Sequence, residues 1–508
     1  MARNAPPNIL FITSDQQHYS TLGVTNERIK TPALDRLCRE GTRFERAYCT
    51  NPTCTPCRAS MITGMYPSQH GAWSLGTKLF EDVPVIGDIF QHAGYATCLI
   101  GKAHFQPLAS RPGMESLECQ PTLRDLDFWR RFHGPWYGFD HLEVARNHTW
   151  ESHAGQHYAI WMEERGLKNW RDYFAAWPHD PDDIKRRRAM RHWDLPEEFH
   201  YTRWTGERSR AFIERAHAAG RPFFLWASFH DPHPPYCTPE PWASMYDPED
   251  MVPGELVPGE HDKNPPHFAM TQEEKPKFRE LYFEDQGIHG GHSHLRDREE
   301  LKKDMAIYYG MVSFLDDEVG RILSTLDRLG IAENTLVVFS TDHGHFLGQH
   351  GLIAKAIHHY EDLLRVPWIV RWPGRVPAGK VSAALQNHID LPLTFLAAAG
   401  LEIPGYMTGV NQLPTWLGGP PARTWSLTEN RHTLTNFHMD TLVTERYKIT
   451  VYRKWDYGEL FDLQEDPGEV NNLWDEPAAH GLKCRLLHRF VQAKLQTHPT
   501  PMPRIAGA

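Results

Sequence analysis

The chain has 508 residues. At roughly 100–200 residues per domain, that allows two to four domains or one large α/β domain with an appendage. Hydrophobic residues make up 40% and charged residues 23%, an ordinary globular composition with ample material for a core. A net charge of −10 argues against general nucleic-acid or anionic-membrane binding, which needs a basic surface. No apolar run approaches the roughly 18 residues needed to span a bilayer. The opening Met-Ala-Arg-Asn-Ala-Pro-Pro has no apolar leader pattern, and eight cysteines in so long a chain do not make a disulfide scaffold, so the expected compartment is a reducing cytoplasm.

Asn8 to Thr13 reads as a buried strand that runs into polar Ser14-Asp15-Gln16-Gln17. Thr31 to Arg43 has helical spacing: Thr31 can cap, Pro32 suits the first turn, Leu34, Leu37 and Cys38 share a face, and Gly41 stops it. Ile86 to His92 repeats the pattern, followed by a strand from Tyr95 to Ile100 and then Gly101-Lys102-Ala103-His104. A helix from Thr205 to Ala219 leads to the strand Pro222 to Phe229 and to His230-Asp231-Pro232-His233. A long amphipathic helix, Leu301 to Leu329, leads to the strand Thr335 to Ser340 and to Thr341-Asp342-His343-Gly344. Helices alternating with continuous apolar strands predict an α/β fold: a large, mostly parallel central sheet sandwiched by helices. Ligands of such sheets sit beyond the carboxyl ends of the strands, and every polar cluster just named falls there.

Two long excursions interrupt this scheme. Residues 105–204 hold eight of the 17 tryptophans, and residues 231–300 are rich in Pro, Gly and acids. Long stretches of this kind inside a compact domain are functional lids or disordered, and the tryptophans favour an ordered lid whose ring faces hold an aromatic, sugar or cationic group. His289, His292 and His294 and the basic run Lys185 to Arg191 read as an exposed loop and a solvated helix face. After about residue 400 the pattern changes. Asp440 to Arg453 alternates like a strand pair, and Ala478 to Gln496 is a terminal helix with Leu482, Leu486, Phe490 and Leu495 on one side. The expected division is a domain over 1–400, with the two excursions as insertions, and a smaller α+β domain over 401–508.

The segment Cys54-Thr-Pro-Cys-Arg58-Ala-Ser-Met-Ile-Thr-Gly64 admits several readings. It can be a loop that enters a helix at Arg58 with two buried thiols. It can be a Cys-x-x-Cys redox pair with its first thiol acidified by a helix N-terminus. It can also be a nucleophile at a helix start that faces an anion, with Arg58 one turn on.

Cys54-x-Pro56-x-Arg58 followed by Thr63-Gly64 resembles the signature of the type I, formylglycine-dependent sulfatases of the alkaline phosphatase superfamily, a group related to phosphonate monoester hydrolases. Further elements resemble that family in order. Asp15-Gln16 and Asp342-His343-Gly344 resemble its two metal-binding pairs, Lys102-Ala-His104 its Lys-x-His element, and Asp231-Pro232-His233 its Pro-His element. Lys355 in His350-Gly-Leu-Ile-Ala-Lys355 resembles its second lysine, and Asp466-Pro-Gly-Glu within Gly458 to Leu473 its C-terminal tail element. Cys57 departs from the small residue common at that position. His343 stands where many sulfatases have Asn.

The resemblance implies a hydrolase of small-molecule sulfate monoesters. Cys54 would be oxidised to formylglycine by a separate formylglycine-generating enzyme. One divalent cation, calcium or manganese, would be held by Asp15, Gln16, Asp342 and His343, the imidazole widening the choice toward softer ions. Arg58, Lys102 and Lys355 would neutralise the sulfate oxygens, His104 would steer the formylglycine hydrate and, itself or through a partner, take the proton of its remaining hydroxyl, and His233 would protonate the leaving group, with His230 as a nearby partner. A phosphonate monoester or phosphodiester hydrolase on the same scaffold is the nearest alternative; a thiol redox enzyme and a non-catalytic sulfate binder are the others. No nucleic-acid or membrane partner is expected, and the expected assembly is a homo-oligomer.

Overall fold

The structure is a computed structural model and describes residues 6–146, 153–174, 192–273, 297–355, 357–431 and 438–499. The expectations for Trp150, Trp177, Lys185 to Arg191, His289, His292 and His294 lie outside the described residues.

Eight strands form the central sheet: β1 (Asn8–Ser14), β2 (Thr42–Phe44), β3 (Ala96–Gly101), β4 (His141–Val144), β5 (Phe223–Ser228), β6 (Thr335–Thr341), β7 (Ile369–Arg371) and β8 (Lys380–Ser382). Their spatial order is β8-β2-β7-β6-β1-β5-β3-β4. The five strands from β6 to β4 are all parallel, and β7 is antiparallel to both of its neighbours. The mostly parallel sheet expected from helix–strand alternation is present; the antiparallel strand β7, only three residues long, had no signal of its own.

Side-chain alternation in β1 explains the two helical layers. Ile9 and Phe11 point to one face, where they pack with Met61 and Ile62 of helix α2 (Cys54–Thr63) and with Phe395. Leu10 and Ile12 point to the other. There they meet Leu34 and Leu37 of α1 (Pro32–Glu40), Phe212 and Ile213 of α3 (Tyr201–Ala218), and Leu315, Val319 and Ile322 of α4 (Arg298–Arg328). Each such side chain contributes about 1.5–3 kcal/mol when fully buried, and the double cover is why β1 reads as a continuous apolar run.

The cap of α1 differs from expectation. Thr31 makes no side-chain cap, because its hydroxyl is engaged with Gly23 N and Asp35. Asp316 of α4 caps the helix from outside, accepting from Ala33 N at 3.0 Å and Leu34 N at 2.7 Å. The helix ends at Glu40, and the expected tail through Arg43 belongs to β2.

The six described tryptophans of the first excursion are not lid faces. Trp129, Trp136, Trp161, Trp170, Trp193 and Trp204 are all 6% exposed or less. Trp161, Trp170, Trp193 and Trp204 build a separate core with Tyr158, Phe174 and Tyr201, and Trp129 and Trp136 join the core under the sheet. Their rings pack against protein, which removes the observation behind a ring-faced ligand cage.

Beyond residue 424, strands β9 (Trp425–Arg431), β10 (His438–Thr444), β11 (Tyr447–Tyr452) and β12 (Gly458–Asp462) form an antiparallel sheet covered by helix α5 (His480–Gln496). Leu486, Phe490 and Ala493 face that sheet, but Leu495 is exposed. Nine residues at 3.6 per turn set Leu495 about 180° from Leu486, so it cannot share the buried stripe. No helix among the described residues is long and apolar enough to cross a membrane.

Candidate active site

Register brings the polar clusters together. Thr13 of β1 lies opposite Ser228 of β5 and Ser340 of β6, so three strands end level. Asp15, His230 and Asp342 therefore leave the sheet on the same edge. Gly101, at φ 102°, ends β3 beside β5; a Cβ there would sit 1.8 Å from Ser228 O, so only glycine lets Lys102 enter alongside.

Helix α2 arrives from the other direction and begins at Cys54 itself rather than at Arg58. Gly64, left-handed at φ 68°, closes it with an N–H donated to Ser60 O. The helix is buried all round, which places the Cys54 side chain at the positive end of a dipole inside the protein. Cys54 Sγ lies 3.2 Å from Lys355 Nζ, 3.3 Å from His343 Nε2, 3.6 Å from Lys102 Nζ and 3.7 Å from Asp15 Oδ1. Burial, with Asp15 beside it, pushes the Cys54 thiol up. Burial likewise raises Cys57, whose Sγ turns to Asp342 O at 2.8 Å and His388 Nδ1 at 3.1 Å. None of the cysteines forms a disulfide among the described residues, and raised thiols with separate partners are the opposite of what a Cys-x-x-Cys redox pair requires.

Asp15, Cys54, Asp342 and His343 bring one ligand atom each within 4.8 Å of one another, all buried. The His343 Nδ1–H donates to Gly344 O at 3.0 Å, so Nε2 carries the lone pair on the side of Cys54. Burial lowers this imidazole to about 3, which keeps it neutral. Burial and the nearby Asp342 carboxylate push Asp15 up to about 6, although Lys102 pairs with it directly. Against its own burial, Asp342 is held well below the usual carboxylate range by His343 and Arg58. Its Oδ1 accepts from Gln16 N and His343 N, both at 3.0 Å. Gln16 adopts φ 62°; its Nε2 lies 2.9 Å from His345 Nδ1, while its buried Oε1 has no hydrogen bond. Two crowded carboxylates, an orphaned amide oxygen and a neutral imidazole are a donor set that fits a divalent cation.

The other expected residues divide. Lys355 Nζ is 3.4 Å from His233 Nε2 and 3.5 Å from His343 Nε2, so His233 belongs to this cluster. His230 instead meets Ala145 O at 2.9 Å and the Tyr201 ring. Arg58 lies behind the cluster: its guanidinium reaches Lys102 O, Ala103 O, Ser228 Oγ and, at 3.5 Å, Asp342 Oδ2, and it stacks on Trp226. It ties α2 to the ends of β3, β5 and β6. His104, at φ 58°, pairs through Nε2 with Arg146 at 2.7 Å and makes no hydrogen bond to Cys54. Arg146, Glu118, Ser228 and His388 were not anticipated; each acts through a partner distant in sequence, and nothing in its local pattern marks it.

A mostly parallel sheet covered on both faces, with carboxylates and cations converging at its strand ends around a helix start, is the architecture of the alkaline phosphatase superfamily. Residues 7–401 match the family described as Sulfatase, and residues 348–496 match N-sulphoglucosamine sulphohydrolase, C-terminal. The chain belongs to the sulfatase family. It is similar to an arylsulfatase of Clostridium perfringens (29% identical, covering 92% of this chain and 90% of that one). It is also similar to an uncharacterized sulfatase, YidJ, of Escherichia coli (27% identical, 92% and 83%). Among solved structures, a phosphonate monoester hydrolase from Silicibacter pomeroyi superposes with a TM-score of 0.78 at 25% identity, over 97% of this chain and 96% of that one.

Proposed function

We propose that this protein hydrolyses sulfate monoesters to inorganic sulfate and an alcohol or phenol. The observation that carries the reading is one buried cluster in which Cys54, at a helix start, is ringed by Asp15, His343, Lys102 and Lys355. The Cys54 sulfur stands in for the oxygens of a formylglycine hydrate, which supplies one hydroxyl for attack and a second for release of sulfate. Asp15, Gln16, Asp342 and His343 would hold a divalent cation, calcium or manganese, whose charge when bound polarises the ester and favours the ionised nucleophile.

The chain's own groups do the rest. Lys102 and Lys355 face the anion as point charges in a dry site, where they act far more strongly than in water. Arg58 is a positioning residue, since its donors are engaged by the strand ends that carry Lys102 and Asp342. His233 is the leaving-group acid. Its Nδ1–H donates to Pro234 O at 2.5 Å, which leaves Nε2 as the atom that gains and delivers the proton. Burial and the Lys355 and Lys102 charges hold this imidazole well below its ordinary range. A bound anion offsets those charges, so His233 takes up its proton with substrate.

The scaffold shared with the phosphonate monoester hydrolase supports a second reading, hydrolysis of phosphonate monoesters or phosphodiesters. The resemblance of Lys102-Ala-His104 to the sulfatase Lys-x-His element favours sulfate. Two measurements test the reading. Mass spectrometry of the peptide containing residue 54 should show a loss of about 18 Da upon conversion of the cysteine. Rates on an aryl sulfate and an aryl phosphonate monoester rank the two substrates, and a fully converted protein inactive on sulfate would overturn the first reading.

A further inference from the structure

Arg146 follows β4 and enters no motif, yet it is buried beside the cluster. Its Nη1 donates to Gln106 O at 3.0 Å, its guanidinium lies 3.5 Å from Glu118, and its Nη2 meets His104 Nε2 at 2.7 Å. The Glu118 carboxylate accepts from His104 N at 2.8 Å and from Gln106 N at 2.7 Å. The loop that carries His104 is thus clamped at its backbone and at its imidazole by one buried ion pair.

The chemistry of this contact is one-directional. A guanidinium has five N–H donors and no acceptor. His104 Nε2 must therefore present its lone pair to Arg146, and the single ring proton of the neutral imidazole sits on Nδ1. Nδ1 is buried and has no hydrogen-bond partner among the described residues. Burial, then Arg146, then Lys102 and Lys355, hold His104 well below its ordinary range, which also sets it within electrostatic reach of the two lysines at Cys54. A buried N–H donor at a backbone φ of 58° is held for a group that the described residues do not supply.

We propose that Arg146, braced by Glu118, is a positioning residue that fixes His104 as a neutral Nδ1–H donor toward an oxygen of the residue-54 hydrate or of the bound ester. His104 in this state gives a hydrogen bond and has no free lone pair with which to take a proton. This deepens the sulfatase reading and rests on it. It assigns His104 to orientation and removes it as a base in the resting enzyme.

The test reads the tautomer directly, without turnover. Long-range ¹H–¹⁵N spectra of the full-length protein, with His104 assigned by its loss in H104N, should show the Nδ1–H form unchanged from pH 5.5 to 8. R146M should shift His104 toward the Nε2–H form or make it titrate in the ordinary histidine range, about 6.5. R146K, which keeps a donor, should retain the parent signature, and E118Q covers the case in which R146M does not fold. The kcat of R146M on an aryl sulfate should fall at least about tenfold at pH 8, where an Nε2–H imidazole offers residue 54 no donor, and recover in part toward pH 6 as protonation restores Nδ1–H. An Nε2–H form in the parent protein, or a His104 signature in R146M and E118Q identical to the parent, would overturn the proposal. A protein inactive on every sulfate ester but with the Nδ1–H signature intact would instead sink the sulfatase reading.

Discussion

Replacing Lys355 by methionine removes one charge and little volume. In the parent protein Nζ stands 3.2 Å from Cys54 Sγ, and the side chain is buried. An anion transferred at residue 54 would sit about 4 Å from that ammonium, where two unit charges interact by roughly 4 kcal/mol at an effective dielectric of 20. Part of this acts equally on bound substrate and part only on the charge that grows as the ester bond breaks. Removing one preorganised donor from such a site costs about 10²–10³ in rate. K355M should therefore lower kcat/KM for an aryl sulfate by about 10²–10³, with most of the loss in kcat. The loss should be nearly the same at 0.05 and 0.5 M salt, because a buried pair is poorly screened. Initial-rate assays of sulfate release on protein with a matched content of converted residue 54 supply the measurement. A loss of less than about fivefold would mean that Lys355 does not face the transferred group.

Three further outcomes follow from the same geometry. Chelation should abolish sulfate release and lower the melting temperature, and calcium or manganese should restore both, because a ligand bound to the folded state alone stabilises it by mass action; D342N should show little response of melting temperature to added cation. Asp316 carries a carboxyl raised by burial to about 7 while it caps α1, so its contribution to stability is full below about pH 4 and is lost as pH rises through 7. Urea midpoints of the parent should fall relative to D316N between pH 5 and 8, and a constant difference would refute the assignment. C57A should cost about 1–3 kcal/mol by leaving Asp342 O and His388 without their sulfur partner, yet keep residue 54 convertible and the enzyme active; equal activity loss in C57A and C54A would revive the redox reading.

What the sequence made legible was what strand ends carry. Asp15, Lys102, His233 and Asp342 each follow a short apolar run closely, and a parallel sheet gathers such positions on one edge whatever lies between them. Lys355 follows no strand of the central sheet; it was placed by family resemblance, and the hairpin at Phe346–Leu347 and Ile353–Ala354 delivers it. The tryptophans misled because composition does not tell a ring that walls a ligand pocket from one that fills a core, and here the excursion uses its rings to build a core of its own.

Arg58 and Arg146 mark the limit more sharply. Both are buried arginines near the same anion site, and motif position singled out the first while nothing singled out the second. Yet Arg58 has its donors aimed at backbone oxygens and Ser228, whereas Arg146 sends one N–H to the imidazole of His104. Which of two cations faces a reacting group depends on where five donors find acceptors, and those acceptors come from β3, β5 and the 104–118 loop, far away in sequence. A motif reports that an arginine belongs near the site; only the hydrogen-bond partners decide whether it holds the scaffold or sets the proton of a neighbour.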